Sequence, residues 1–87
     1  MRTDSILTTL SYLVHDQTPP SIKQRLLTVA VNNMEFAPMG ALRALEALGP
    51  SAKPALPEIK KYRISKADRF TRQYIDTHVL EAIDPQD

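Results

Sequence analysis

The 87-residue chain contains no cysteine, no tryptophan and only two glycines. Each absence removes a class of chemistry. Without cysteine there is no disulfide, no thiolate nucleophile and no cysteine-ligated zinc, so packing alone must supply stability. A chain of this length buries only about 60–65% of its unfolded surface. With Gly40 and Gly49 as the sole glycines, neither a phosphate-cradling loop nor a dinucleotide fingerprint can be built. No apolar run approaches the roughly 20 residues that cross a bilayer. Met1-Arg2-Thr3-Asp4 leads into a stretch broken by Thr8, Thr9, Ser11 and Tyr12, with no small-residue cleavage pattern behind it, so no signal peptide is expected. Compartment stays open on this sequence.

The residues that are present describe one globular domain spanning residues 1–87. The hydrophobic fraction is 43% and the charged fraction 24%, both ordinary for a soluble domain, and the length leaves no material for a second core. The net charge is +1, but it is unevenly spread. Lys53, Lys60, Lys61, Arg63, Lys66, Arg69 and Arg72 crowd one segment against Glu58 and Asp68 alone, whereas Asp76, Glu81, Asp84 and Asp87 crowd the end.

Apolar residues recur at helical spacing throughout, and strand-like alternation is absent. Ile6, Leu7, Leu10, Leu13 and Val14 form one stripe of a first helix over Ser5 to His15, capped by Asp4 or Ser5. Thr18 followed by Pro19 reads as the cap and first residue of a second helix reaching Asn33. There, Ile22, Leu26, Val29 and Ala30 on one side and Leu27 and Val31 on another give an apolar arc wide enough for two neighbours. A third helix, about Phe36 to Leu48, carries Ala41, Leu42, Leu45 and Leu48 and stops at Gly49-Pro50, where glycine supplies a left-handed cap. A fourth, about Ser51 to Tyr62, has Ala52, Ala55, Leu56 and Ile59 inward, with Pro57 bending it or moving its start later. A fifth, about Lys66 to Ile83, opens on Ser65 and Asp68 in capping-box spacing and turns Phe70, Tyr74, Ile75, His78 and Ala82 to one side.

A repeat runs through this pattern. Leu45-Glu46-Ala47-Leu48-Gly49-Pro50 returns as Leu80-Glu81-Ala82-Ile83-Asp84-Pro85, an offset of 35 residues. The same step backwards sets Leu45 on Leu10, Leu48 on Leu13 and Pro54 on Pro19. A helical hairpin cannot bury its apolar face alone, and stacking like units builds a continuous core, so such a period marks a solenoid candidate. Chance similarity within a Leu- and Ala-rich helical bundle is the alternative.

The run from Ala41 to Ile59, an Ala/Leu helix ending at Gly-Pro and followed by a helix with an internal proline, resembles the short bacterial HEAT-like repeats. The resemblance implies an all-α fold: a right-handed stack of antiparallel helical hairpins, a HEAT-like α-solenoid fragment of about five helices. More narrowly, Phe36 through Ile59 and the Tyr- and Ile-containing last helix are similar to the C-terminal helical-repeat segment that follows the catalytic domain in some bacterial sulfatases. The sulfatase nucleophile motif, Cys or Ser-x-Pro-x-Arg, does not occur here, so that resemblance implies an accessory segment without an active site.

Candidate chemistry is sparse. His15 and His78 each lack the helical histidine partner of a His-Glu-x-x-His metal site, and Glu58, Asp68, Asp76 and Glu81 are scattered over different helices and turns. No catalytic residue, metal ligand or cofactor is expected. The leading expectation is a non-catalytic interaction scaffold, with a protein partner or the rest of a longer chain meeting the polar sides of the second and fourth helices at Gln24, Thr28, Glu58 and Lys61. Leu80 and Ile83 are the expected contacts for self-association into a homo-oligomer or for a next repeat. The rival is phosphate or nucleic-acid binding through Lys60, Lys61, Arg63, Lys66, Arg69 and Arg72, with Tyr62 and Phe70 available for stacking.

Overall fold

Proline and glycine set the boundaries of the helices in the computed structural model, which describes residues 2–85. Helix α1 (Arg2–Leu13) ends before Asp16-Gln17-Thr18-Pro19, and α2 (Pro20–Asn32) starts on proline, whose missing N–H costs nothing in a first turn. Helix α3 (Pro38–Leu48) also starts on proline. A 3-10 segment (Gly49–Ala55) follows it directly and leads into α4 (Leu56–Ser65), with Pro57 in the first turn. The last stretch runs unbroken from α5 (Arg69–Tyr74) through a π-helical turn (Ile75–Val79) into α6 (Leu80–Ile83). Among the described residues none lies in a strand.

Several expected boundaries move, each for a local reason. Pro19 precedes the second helix instead of opening it, and Thr18 closes a turn by accepting from the His15 N–H and donating its own N–H to the His15 carbonyl. Asp4 lies inside α1 and does not cap it. Asp68 alone caps α5, its Oδ1 accepting the Thr71 N–H at 2.8 Å, while the Ser65 hydroxyl donates back to the Lys61 carbonyl at the end of α4. Gly49 has φ +59 with ψ −139, so it is a positive-φ stop but not the left-handed cap conformation.

Helix α3 is the centre of the packing. Ala41, Leu42, Ala44 and Leu45 are fully buried, joined by Leu7 of α1, Leu26, Leu27 and Ala30 of α2, Ile59 of α4 and the Ile75, Val79 and Ile83 series of the last stretch. Asp4 meets Gly40 and Thr8 lies beside Arg43, so α1 and α3 run side by side in the same direction. Glu46 meets Tyr74 and Gly49 lies beside Ala82, which gives α3 and the last stretch the same relation. The Cα extents of 36 × 33 × 18 Å describe a slab, thin enough for two layers of helices at interaxial spacings of about 8–10 Å.

Two expected inward stripes are only partly inward. In α1 only Leu7 of the apolar set is buried, and Ile6, Leu10 and Leu13 face out; in α2 Ile22 and Val29 face out. In the last stretch Phe70 and His78 are exposed, and the buried series is Ile75, Val79 and Ile83. Ile75, Val79 and Ile83 are spaced by four and share one side of the helix, whereas Phe70, five residues before Ile75, falls on the opposite side.

Candidate functional site

Polar faces of α2 and α4 frame a shallow groove. Gln24, Leu27, Thr28, Val31 and Asn32 line it from α2, Pro54 and Ala55 from the 3-10 segment, and Glu58, Lys61, Tyr62, Ser65 and Lys66 from α4 and its end, with Met34 and Glu35 closing one side. It comprises two depressions of about 140 and 190 Å³ that share Val31 and Glu58. Neither reaches the roughly 300–1,000 Å³ of small-molecule sites. The four residues expected to meet a partner, Gln24, Thr28, Glu58 and Lys61, all lie on this groove.

Local chemistry fixes what the groove can offer. The Thr28 hydroxyl donates to the Gln24 carbonyl one turn back, at 3.1 Å, so its oxygen faces the groove as an acceptor. Gln24 and Asn32 are exposed, and each side-chain amide carries both donors and an acceptor. Lys66 Nζ sits 3.3 Å from Glu35 Oε1, a surface pair that joins the two ends of the groove wall. Burial pushes the Tyr62 phenol above its ordinary range, and the Asp68 and Glu35 carboxylates add to that shift, so the ring presents a neutral hydroxyl. Mixed charge and amide groups along about 12 Å of α2, from Gln24 to Asn32, give room for about four residues of extended chain.

Half of the six basic residues of the segment from Lys60 to Arg72 are engaged within the chain. Arg63 makes a bidentate pair with Asp76, Nε to Oδ1 and Nη2 to Oδ2, both 2.7 Å. That hydrogen bonding holds the Asp76 carboxyl below its usual range and the guanidinium above its own. Arg72 Nε donates to the Arg63 carbonyl at 3.0 Å, and Lys66 is paired with Glu35. Lys60, Lys61 and Arg69 are exposed. Of the two aromatic residues considered for stacking, Phe70 is exposed and Tyr62 is half-buried in the groove wall.

The remaining candidates sit apart from one another. His15 accepts the Gln17 N–H on Nδ1 in an exposed turn, and His78 stacks its ring on Tyr74 at a centroid distance of 4.9 Å. No group of three or more His, Asp or Glu side chains with metal-holding geometry occurs among the described residues. Tyr74 donates its hydroxyl to Glu46 where α3 meets the last stretch, and its pKa is pushed up to about 12, first by burial and then by the Glu46 carboxylate, with Arg43 opposing. A phenol held so far up is no base at neutral pH. Glu81 is exposed, and no hydrogen bond or ion pair within the described residues links it to Glu58, Asp68 or Asp76.

Of the two expected oligomer contacts, Ile83 is fully buried inside the domain and is therefore withdrawn as a surface contact; Leu80 is half-buried against the core. Besides Phe70 and His78, the residues expected inside and found outside are Ile6, Leu10, Leu13, Ile22 and Val29. For Ile22 and Val29 the signal was the breadth of the apolar arc on α2.

Against known proteins, the chain matches no family model, no curated protein and no solved structure.

Proposed function

We propose that this protein is a non-catalytic interaction scaffold, a right-handed HEAT-like stack of helical hairpins whose groove between α2 and α4 takes an extended polypeptide segment. The observation that carries the reading is the convergence of Gln24, Thr28, Glu58 and Lys61 on one groove. The common direction of α1, α3 and the last stretch supports the stacked arrangement, because repeated hairpins set equivalent helices side by side at each unit. Amides at Gln24 and Asn32 suit the alternating N–H and C=O of an extended backbone, and Glu58 and Lys61 give side chains of either charge something to pair with. The same reading covers a longer protein in which this segment accompanies a sulfatase-like catalytic unit.

A selection of short extended peptides on the purified chain, followed by NMR mapping, tests it. The expected result is shifts at Gln24, Thr28, Glu58 and Lys61, abolished by the exposed-site variant Thr28→Arg with the fold intact. Failure to select any peptide, or selected peptides that map elsewhere, would overturn the groove as the site. Binding of single-stranded nucleic acid at low salt, mapped to Lys60 and Arg69, would replace the reading with the phosphate-binding one.

A further inference from the structure

The edge of the slab formed by α1 and α2 is mostly hydrocarbon, and none of the described residues covers it. Ile6, Leu10 and Leu13 stand at i, i+4 and i+7 on α1, with 51%, 38% and 65% of their surfaces exposed. Ile22 and Val29 form the matching stripe on α2, at 50% and 44%, with Leu26 between them forming the floor. Leu10 and Leu13 on one side and Ile22 and Val29 on the other line an open groove of about 320 Å³, in which Arg25 is the only charged lining residue among those described. Taken together, these side chains expose on the order of 400 Å² of apolar surface, within the range of the largest such patch on a monomeric protein, a patch that is often functional.

For Leu10 and Leu13, the residues 35 positions further along the sequence are covered, which these are not. Leu10 and Leu13 stand 35 residues before Leu45 and Leu48, which in turn stand 35 before Leu80 and Ile83. Leu45 and Leu48 are 0% and 4% exposed and Ile83 is 0%. Only the first unit shows the pair to solvent. On the last stretch, Arg69, Arg72, Gln73 and Asp76 line a surface depression, with Phe70 exposed between Arg69 and Arg72 in sequence, so that surface is mostly polar.

We infer that the α1/α2 edge is the interface of a twofold homodimer, each copy setting its Leu13 and Ile22 against the groove of the other. A head-to-tail array of copies would press Arg69, Arg72 and Asp76 onto hydrocarbon, and although Asp76 is paired with Arg63 and Arg72 donates to the Arg63 carbonyl, all three would lose the water that now solvates them. Joining like edge to like edge avoids that cost and closes the assembly at two. Two such faces bury on the order of 800 Å² of apolar surface, and the polar rim brings the total near the roughly 1,000 Å² that a specific interface requires. The dimer is accordingly a concentration-dependent one. This inference is independent of the α2/α4 groove, which lies on a different part of α2.

Sedimentation equilibrium of the whole chain over a wide concentration range tests it. The parent is expected to shift from monomer to dimer. The variants Leu13→Lys and, as a milder change, Leu13→Ser should weaken the dissociation constant by roughly tenfold or more, because both place a polar group in the apolar contact. Leu13 is solvent-exposed in the monomer, so the circular dichroism of both variants should be unchanged. Leu80→Lys should leave the dimer constant where it is. A parent that stays monomeric at the highest concentration would overturn the proposal and assign the edge to a different polypeptide. A dimer that survives Leu13→Ser, or that is broken by Leu80→Lys instead, would overturn it as well.

Discussion

The carboxylate of Asp4 on α1 accepts the backbone N–H of Gly40 in the first turn of α3. Ala37, at the N-cap of α3, has no side chain to satisfy that turn, so the cap is delivered from a neighbouring helix 36 residues earlier. The approach is close enough that a β-carbon at position 40 would lie 2.6 Å from the Asp4 carbonyl oxygen and 3.0 Å from its Cα.

Gly40→Ala therefore pits two effects against each other. Alanine in a helix is worth about 1 kcal/mol over glycine. The clash is with backbone, which cannot rotate away, and forcing α1 off α3 is expected to cost about 1–3 kcal/mol and win. Asp4→Ala should cost about 0.5–2 kcal/mol through the lost cap alone. Urea unfolding of both variants checks the order; a stabilised Gly40→Ala would mean that α1 does not sit this close.

Leu45 and Leu10 stand 35 residues apart in the sequence and differ in burial. Leu45 is fully buried, so Leu45→Ala is expected to destabilise the domain by about 2–5 kcal/mol. Leu10, 38% exposed, should lose under about 2 kcal/mol on the same change at low protein concentration. Thermal or urea midpoints within error of each other would show that both positions are equally packed.

This contrast marks how far the sequence could be read. The 3.6-residue spacing of apolar residues gave the helices, and Pro20, Pro38 and Pro57 fix three starts that proline chemistry permits. Periodicity reports that a stripe is apolar and says nothing of whether a neighbour reaches it, which is why Leu10, Leu13, Ile22 and Val29 looked like core. The π turn at Ile75–Val79 is a backbone feature with no side-chain signature, and the spacing of Phe70, Tyr74 and His78 did not report that the core lies on the side of Ile75, Val79 and Ile83 instead. Gln24, Thr28, Glu58 and Lys61 were legible because the polar side of a surface helix is its solvent side, and α2 and α4 turn theirs toward one groove.

Gly49 joins α3 to the 3-10 segment at φ +59 and ψ −139, close to the region that only glycine enters freely. A β-carbon there would meet nothing nearer than the Ala82 carbonyl at 3.6 Å, so the cost of Gly49→Ala is conformational, about 1–3 kcal/mol. Gly49→Ala should lower the unfolding midpoint despite the better helix propensity of alanine. A neutral outcome would mean that the joint can relax into helix.

Acid should weaken the fold through two aspartates. The Arg63 pair holds the Asp76 carboxyl low, and the Thr71 N–H at the cap of α5 does the same for Asp68. A depressed folded pKa contributes stability above the unfolded value of about 4, and that contribution is lost as pH falls through the folded values. Both carboxylates are solvent-exposed, so the loss is modest and shrinks in salt. Urea midpoints should fall between neutral pH and pH 3, and an Asp68→Asn, Asp76→Asn double variant should flatten that part of the fall. A double variant that follows the parent throughout would remove these two groups from the account.

Tyr74 and Glu46 make the opposite case at high pH. Burial raises the phenol, the Glu46 carboxylate that accepts its hydrogen bond raises it further, and Arg43 pulls it back, leaving it at about 12. A raised folded pKa means that the stabilisation is complete below the unfolded tyrosine value of about 10 and is lost as pH rises from there through the folded value. The chain has three tyrosines, Tyr12, Tyr62 and Tyr74, so the phenolate absorbance of the parent minus that of Tyr74→Phe isolates this one. Its midpoint is expected near 12. In Glu46→Gln the carboxylate charge is gone while burial persists, so the midpoint should drop but stay above the ordinary value. Equal midpoints in the parent and Glu46→Gln would show that Glu46 does not hold the hydroxyl where α3 meets the last helical stretch.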